Sequence, residues 1–403
     1  MLPPASPYSR YWLLDADVVF LNHGSFGACP LPILQRQEEH RRAMEQEPVR
    51  YLVRRLEPLL WQTKEQLASF IGTHAADLVF VPNATYALNT VLHSLSFHPG
   101  DELLTTTHVY GACLHALQVA AQRTGARLVI ADVPFPVSSP DQVMEAISQA
   151  ISPRTRFAVL DHITSPTGLI FPVQQMVALL QDAGVDCFVD GAHVPGHLPL
   201  DLRSIGAAYY AGNTHKWLCT PKGSAFLYVR PDRQAAIRPL VTSHRYDAPV
   251  PEPQRWSSAF FWPGTTDFSP WLCIADALNW LPTLMGNLTD LMKHNRDLCC
   301  AAAQHLQNRL QLALPAPTEL LGCMTAFPLG PAERPPYAFG YIHPLQEALW
   351  EAYRIEVPVM VWGHPPQLIL RISAYCYNSM AQYEYLAEAL RKLLPRYVPL
   401  RRM

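Results

Sequence analysis

Five short stretches carry residues whose types and order could do chemistry together. Lys216 lies in AGNTHKWLCTPKG, directly after a strand-like segment and before a Pro-Lys-Gly turn. A lysine amine at such an edge can form an imine with an aldehyde cofactor once its pKa is lowered. Asp190, in CFVDGAHVPG, ends another apolar run. A buried carboxylate there can pair with a protonated pyridine nitrogen and keep that ring an electron sink. Ala192 is small enough to let a ring lie against it, and His193 can hydrogen-bond the same group. Asn83-Ala84-Thr85 follows LVFVP and opens a helical stretch. Asn83 suits an N-cap, and the free amides at Ala84 and Thr85 suit a phosphate. Tyr110, in TTTHVYGA, could stack on a pyridine ring, with His108 a weaker candidate for the same place. Arg371, in LILRISAYCYN, could take a substrate carboxylate through a two-pronged contact.

Each of these residues taken alone has a plainer reading. Lys216 would be a surface lysine, Asp190 a helix cap or structural ion pair, and His193 a satisfied core histidine. Asn83 would simply cap a helix, Tyr110 would fill a core, and Arg371 would pair across a domain interface. Their ordered company along one chain favours the chemical reading.

The elements that must position them alternate. LVFV at 78–81 precedes a helical stretch over 84–95, and residues 102–105 precede another over 111–125. RLVIADV, RFAVLDHI, VDCFVDGAH, AAYYAGNTHK and SAFLYV read as further apolar strands, with helices over 141–151 and 173–183. Short apolar runs between amphipathic helices predict a mainly parallel sheet covered on both faces, with ligands beyond the carboxyl ends of its strands. From Trp256 the pattern changes to a long helical stretch over about 270–312, then a strand and an amphipathic helix within 366–394. The expected division is residues 1–20 packing with a small domain, 21–255 as the large cofactor-binding domain, and 256–403 as the small one.

Composition narrows the class. The 403 residues are 49% apolar and only 16% charged, with a net charge of −2. No basic footprint for nucleic acid is present, no apolar run of about 18 residues suggests a membrane span, and no signal-peptide pattern opens the chain. The nine cysteines are scattered without a C-x-x-C pair, which predicts neither a disulfide framework nor a metal site and favours the cytoplasm.

Taken in order, D-G-A-H at 190–193, T-H-K-W with P-K-G-S-A-F-L-Y-V at 214–229, and G-T-T-D at 264–267 resemble the class V aminotransferase family. The resemblance runs from about Leu21 to Leu390. It implies an α/β, fold-type I transferase: a large domain with a mainly parallel seven-stranded sheet, plus a smaller α+β C-terminal domain. It implies pyridoxal 5′-phosphate (PLP) as cofactor, held by Lys216 as a Schiff base, with Asp190 on the pyridine nitrogen. Tyr110 would stack on the ring, where many relatives carry histidine. Phosphate contacts would fall to Ala84, Thr85, Asn213 and His215, although Asn213 departs from the serine common in cysteine desulfurases. Ser165, with Thr164 beside it, would lie near the phenolic oxygen. Thr265 matches a threonine that reaches the neighbouring subunit's phosphate, which implies a homodimer with shared active sites. Arg371 matches the arginine that binds the carboxylate of a small amino-acid substrate.

L-N-H-G-S-F-G at 21–27, N-A-T-Y-A-L-N at 83–89 and R-I-S-A-Y-C-Y-N at 371–378 resemble the isopenicillin N epimerase-like branch. That resemblance implies epimerisation at an amino-acid α-carbon, with Lys216 as base and Tyr110 or a histidine such as His23 as the second acid. The substrate pocket would include Asn22, His23, Tyr110 and residues near Trp262. A C–S lyase or desulfurase-like β-eliminating enzyme, an aminotransferase, and a non-catalytic PLP-binding protein are the alternatives. Residues 355–370 hold no cysteine, where desulfurases of the family need a nucleophile; an eliminating lyase needs none.

Overall fold

The computed structural model describes residues 2–334 and 341–398. Twelve strands are present among them: β1 (Val19–Phe20), β2 (Leu78–Val81), β3 (Glu102–Thr106), β4 (Arg127–Ala131), β5 (Thr155–Asp161), β6 (Asp186–Asp190), β7 (Tyr209–Asn213), β8 (Ala225–Val229), β9 (Met324–Pro331), β10 (Ile355–Glu356), β11 (Val359–Trp362) and β12 (Gln367–Ser373). Seven form the central sheet, in the order β2-β8-β7-β6-β5-β3-β4. Only β8 runs against its neighbours; the remaining contiguous ladders are parallel.

Burial on both faces explains why these strands are apolar throughout rather than alternating. Leu78, Phe80, Ala158, Leu160, Cys187 and Val189 face one core. Their intervening neighbours Val79, Val81, Phe157, Val159 and Phe188 face a second. The edge strand β4 is the exception, with Arg127 and Ile130 exposed. Phe188 is fully buried one strand register below the site. Phe188→Ala is expected to cost about 3–5 kcal/mol, read by denaturant unfolding.

The C-terminal part has its own core, built on the antiparallel sheet β11-β12-β9 and the helices Leu288–Leu310, Pro344–Tyr353 and Met380–Tyr397. The N-terminal segment joins it. β1 pairs in parallel with β10, Ser6 N donates to Tyr377 O, and Trp12 packs edge-on against Tyr375 and Tyr377.

The long helix expected over 270–312 is two helices, Ser269–Trp280 and Leu288–Leu310. Gly286 adopts φ +86° and Asn287 caps the second helix by accepting from Asp290 N, so the chain turns where apolar periodicity alone ran on. The first helix contributes Trp271, Leu272, Cys273 and Ile274 to the large core. Residues beyond 256 thus also pack into the large core.

Candidate active site

A cavity of about 400 Å3 opens beyond the carboxyl ends of β5, β6 and β7, and Lys216, Asp190, His193, Tyr110 and Thr85 all line it. This is the end where a parallel sheet presents its loops to a ligand. Asp190, the last residue of β6, is buried; its Oδ1 accepts from Ala192 N at 2.9 Å and its Oδ2 from the Cys113 thiol at 3.1 Å. Gly191 must follow it, because a Cβ there would lie 2.1 Å from the Tyr210 hydroxyl. Lys216 follows β7, and its Nζ lies 3.0 Å from His193 Nε2. Burial lowers the Lys216 pKa from 10.5 to about 8, with Arg371 adding to the fall and Asp190 opposing it. Tyr110 caps the helix Gly111–Thr124 and is 43% exposed on the cavity wall.

At the other end, the helix Ala84–Ser94 points its N-terminus into the cavity. Asn83 accepts from Tyr86 N, and Asn213 Oδ1 accepts from Ala84 N. Asn213 thus spends its carbonyl oxygen on the Ala84 amide and leaves its NH2 to donate. The half-buried Thr85 and the His215 ring complete a cradle of the kind that holds an anion. His215 Nδ1 lies 2.8 Å from Ser224 O, which fixes the ring with Nε2 free.

Arg371, in β12, is 4% exposed. Its guanidinium donates to the Ser165 carbonyl and, at 2.9 Å, to the Ser25 hydroxyl, while Nε has no partner. Both serines line the cavity. Burial lowers the Arg371 pKa to about 10. A buried cation with only neutral partners is costly unless an anion joins it, which suits an incoming carboxylate.

Several expected positions fall elsewhere. Asn22 does not reach the cavity: its Oδ1 accepts from Ser25 Oγ at 2.6 Å and its Nδ2 donates to Glu356 at 3.0 Å. It orients Ser25, and through it Arg371. His23 is fully buried behind the lysine, with Nδ1 2.8 Å from the Tyr377 hydroxyl, Nε2 3.1 Å from Lys216 O, and its ring stacked on Tyr375. Burial lowers its pKa to about 3, and its ring is occupied by Tyr375, Tyr377 and the Lys216 carbonyl. His108 is likewise buried, bonded to Thr167 and Val133 O. Thr164 is tied to Thr167 and to Leu169 N within its loop, while Ser165 lines the cavity. Trp262 stacks on Phe268 away from the cavity. Thr265 is exposed at a separate cleft beside Lys222 and Trp271.

Two residues of the site were missed from the sequence. Asp161 ends β5 in register with Asp190, lines the cavity, and leaves Oδ2 buried without a partner. Burial first, and then the Asp190 charge, raise its pKa well above the usual carboxylate range. The signal was present: AVLD ends a strand just as CFVD does. Cys113, in the first turn of its helix, gave no such signal. The orphaned polar atoms, the anion cradle, the deprotonation-prone amine and the buried carboxylate together fit a PLP molecule: an aldehyde to Lys216, a pyridine nitrogen to Asp190, and a phosphate to Ala84, Thr85 and His215.

A doubly covered α/β sheet with a lysine and an aspartate at the ends of neighbouring strands is the frame of a fold-type I PLP enzyme. The chain belongs to the class V aminotransferase family, whose sequence profile, Aminotransferase class-V, matches residues 30–386. It is a PLP-dependent enzyme. An isopenicillin N epimerase of Amycolatopsis lactamdurans is 34% identical over 395 residues, covering 94% of this chain and 96% of that protein. A protein named putative L-cysteine desulfhydrase 1 of Oryza sativa subsp. japonica is 29% identical, covering 94% and 84%. Among solved structures, a cysteine desulfurase of Thermococcus onnurineus shares the fold with a TM-score of 0.77 at 19% identity, covering 98% of this chain and 100% of that one. No helix of the described residues is long and apolar enough to cross a membrane.

Proposed function

We propose that this enzyme is an amino-acid epimerase of the isopenicillin N epimerase-like branch, with Lys216 as cofactor anchor and base. One observation carries the reading: Lys216 and Tyr110 enter the same cavity from opposite flanks. Lys216 follows β7 and Tyr110 follows β3, with Asp190 on β6 and Asp161 on β5 between them. PLP, when bound, joins the substrate amine through its aldehyde and draws negative charge from the α-carbon into its ring. Arg371 would hold the substrate carboxylate, Asp190 would keep the pyridine nitrogen protonated, and the freed Lys216 amine would remove the α-proton. Tyr110 would return a proton from the other side. Partial burial, with Cys113 and Asp190 nearby and Arg371 opposing, raises its phenol above the usual range. It is therefore a protonated acid at neutral pH.

A second reading is β-elimination from a sulfur amino acid, favoured by the relatives named L-cysteine desulfhydrases. Elimination uses the same α-proton removal and needs no thiol nucleophile; among the described residues no cysteine lines the cavity. The two separate in deuterated water with purified enzyme and a panel of L-amino acids. Deuterium at the α-carbon with inversion supports epimerisation. Pyruvate and sulfide from L-cysteine support elimination. Exchange with none of them would sink both readings. A homodimer is part of the proposal, with Thr265 serving the partner's phosphate; light scattering of the purified enzyme tests it.

The base must be unprotonated to act. Lys216 is charged below its pKa of about 8 and neutral above it. The α-exchange rate is therefore expected to rise with pH through about 8 and then level off, measured between about pH 6 and 10.

A further inference from the structure

The hydrogen bonds around His193 leave one placement of protons. The Trp217 indole N–H, which can only donate, points at His193 Nδ1 from 3.3 Å. A neutral imidazole that accepts at Nδ1 carries its hydrogen on Nε2. That Nε2–H faces Lys216 Nζ at 3.0 Å. The lysine nitrogen must then offer a lone pair, which only the uncharged amine has. A charged Lys216 would set donor against donor unless the ring lost its bond to the indole.

We propose that Trp217 is a positioning residue that fixes the tautomer of His193 and so favours the free-amine form of Lys216, ready to join PLP. The proposal rests on Lys216 being the anchor. The indole is itself held fast. Trp217 is 1% exposed, its ring lies 4.8 Å from that of His23 and 4.4 Å from that of His197, and its carbonyl accepts from the Tyr375 hydroxyl. A second proton on His193 is opposed chiefly by burial, which pushes its pKa well below the ordinary value, and also by the Arg371 cation. His23, His197 and Cys219 also surround this cluster. Burial holds the two histidines at about 3 and raises the Cys219 thiol, so all three stay neutral at working pH.

The step at stake is simple in its balance. The Nζ lone pair bonds the aldehyde carbon, the carbonyl oxygen leaves as water with the two amine hydrogens, and a C=N bond remains. A protonated amine cannot begin it.

The test compares full-length enzyme and its Trp217→Phe variant, each stripped of cofactor with hydroxylamine and given fresh PLP. Covalent attachment is trapped with borohydride and read as the mass of the Lys216 peptide across pH. In the native enzyme the attachment rate is expected to be half-maximal near pH 8, the amine's own pKa. Trp217→Phe should raise that midpoint by about one unit and slow attachment at pH 7 about tenfold. His193→Gln offers an amide N–H whatever the indole does, so adding Trp217→Phe to it should cause no further shift. An equal shift in both backgrounds, or none in either, overturns the proposal. Nitrogen-15 spectra of histidine-labelled native enzyme add a readout free of substitution: a bare Nδ1 and a protonated Nε2 are expected at His193, and the opposite tautomer overturns the proposal. PLP that still attaches at the site in Lys216→Ala would instead overturn the anchor reading, so the two failures are distinct.

Discussion

Lys216→Ala is expected to lower turnover by about 10^4- to 10^6-fold, the scale seen when a group that acts as a unit with its neighbours is removed. The same variant should lose the borohydride-stable mass increment on the peptide that holds residue 216. The size follows from two roles lost at once. Lys216 is the amine beside which His193 stands at 3.0 Å, and no other lysine lines the cavity among the described residues. Alanine leaves space but no base, and Arg371, the other nearby cation, cannot give up its proton usefully at working pH. Added methylamine should restore part of the rate, because the cavity left behind can admit a small amine. Turnover above about a tenth of the native rate in the unaided variant would rule out Lys216 as base.

Two carboxyl groups stand side by side at the ends of β5 and β6, and they should respond differently to the same change. Asp190→Asn is expected to slow turnover about a hundredfold to a thousandfold, the scale of deleting one preorganised electrostatic partner. Asp161→Asn is expected to cost less than about tenfold. The asymmetry comes from their surroundings. Asp190 has both carboxylate oxygens partnered, by the Ala192 amide and the Cys113 thiol. Asp161 has an unpartnered, buried Oδ2 beside that charge, and burial raises its pKa well above the usual range. It is therefore neutral in the fold, and asparagine copies a neutral acid closely. Initial rates of α-deuterium exchange for the two variants decide the matter; the reverse order of losses would show that Asp161 carries the charge.

The architecture was legible because its logic is local. Strands such as LVFV, CFVD and AFLYV are short and apolar throughout, and the helices between them are capped or stopped by Asn83, Gly125 and Gly184. The reversed direction of β8 was not legible, since strand direction leaves no mark on an apolar pentapeptide. The break at Gly286-Asn287 was readable as a cap but was hidden by continuing helical periodicity. The strand-end residues expected at the site line one cavity, as position in a parallel sheet predicts. His23 and Asn22 were misplaced because their burial depends on Tyr375, Tyr377 and Glu356, more than 330 residues away. The role of Trp217 depends on a contact to His193 that no spacing rule supplies.

The N-terminal turn at Gly27 has a consequence for how the enzyme comes into being. Gly27 adopts φ +68°, and any side chain there would collide with the backbone of His215 and Lys216. This turn is held in place by β1 on β10, by Gly24 N on Ser373, and by His23 on Tyr377. During synthesis the lysine therefore emerges long before the residues that seat the turn behind it. A nascent chain that ends before residue 355 carries every strand of the large sheet, yet lacks the clasp that shapes its reactive end. Cofactor capture is thus expected as a late event in the enzyme's synthesis, after β10, β12 and Tyr377 have emerged.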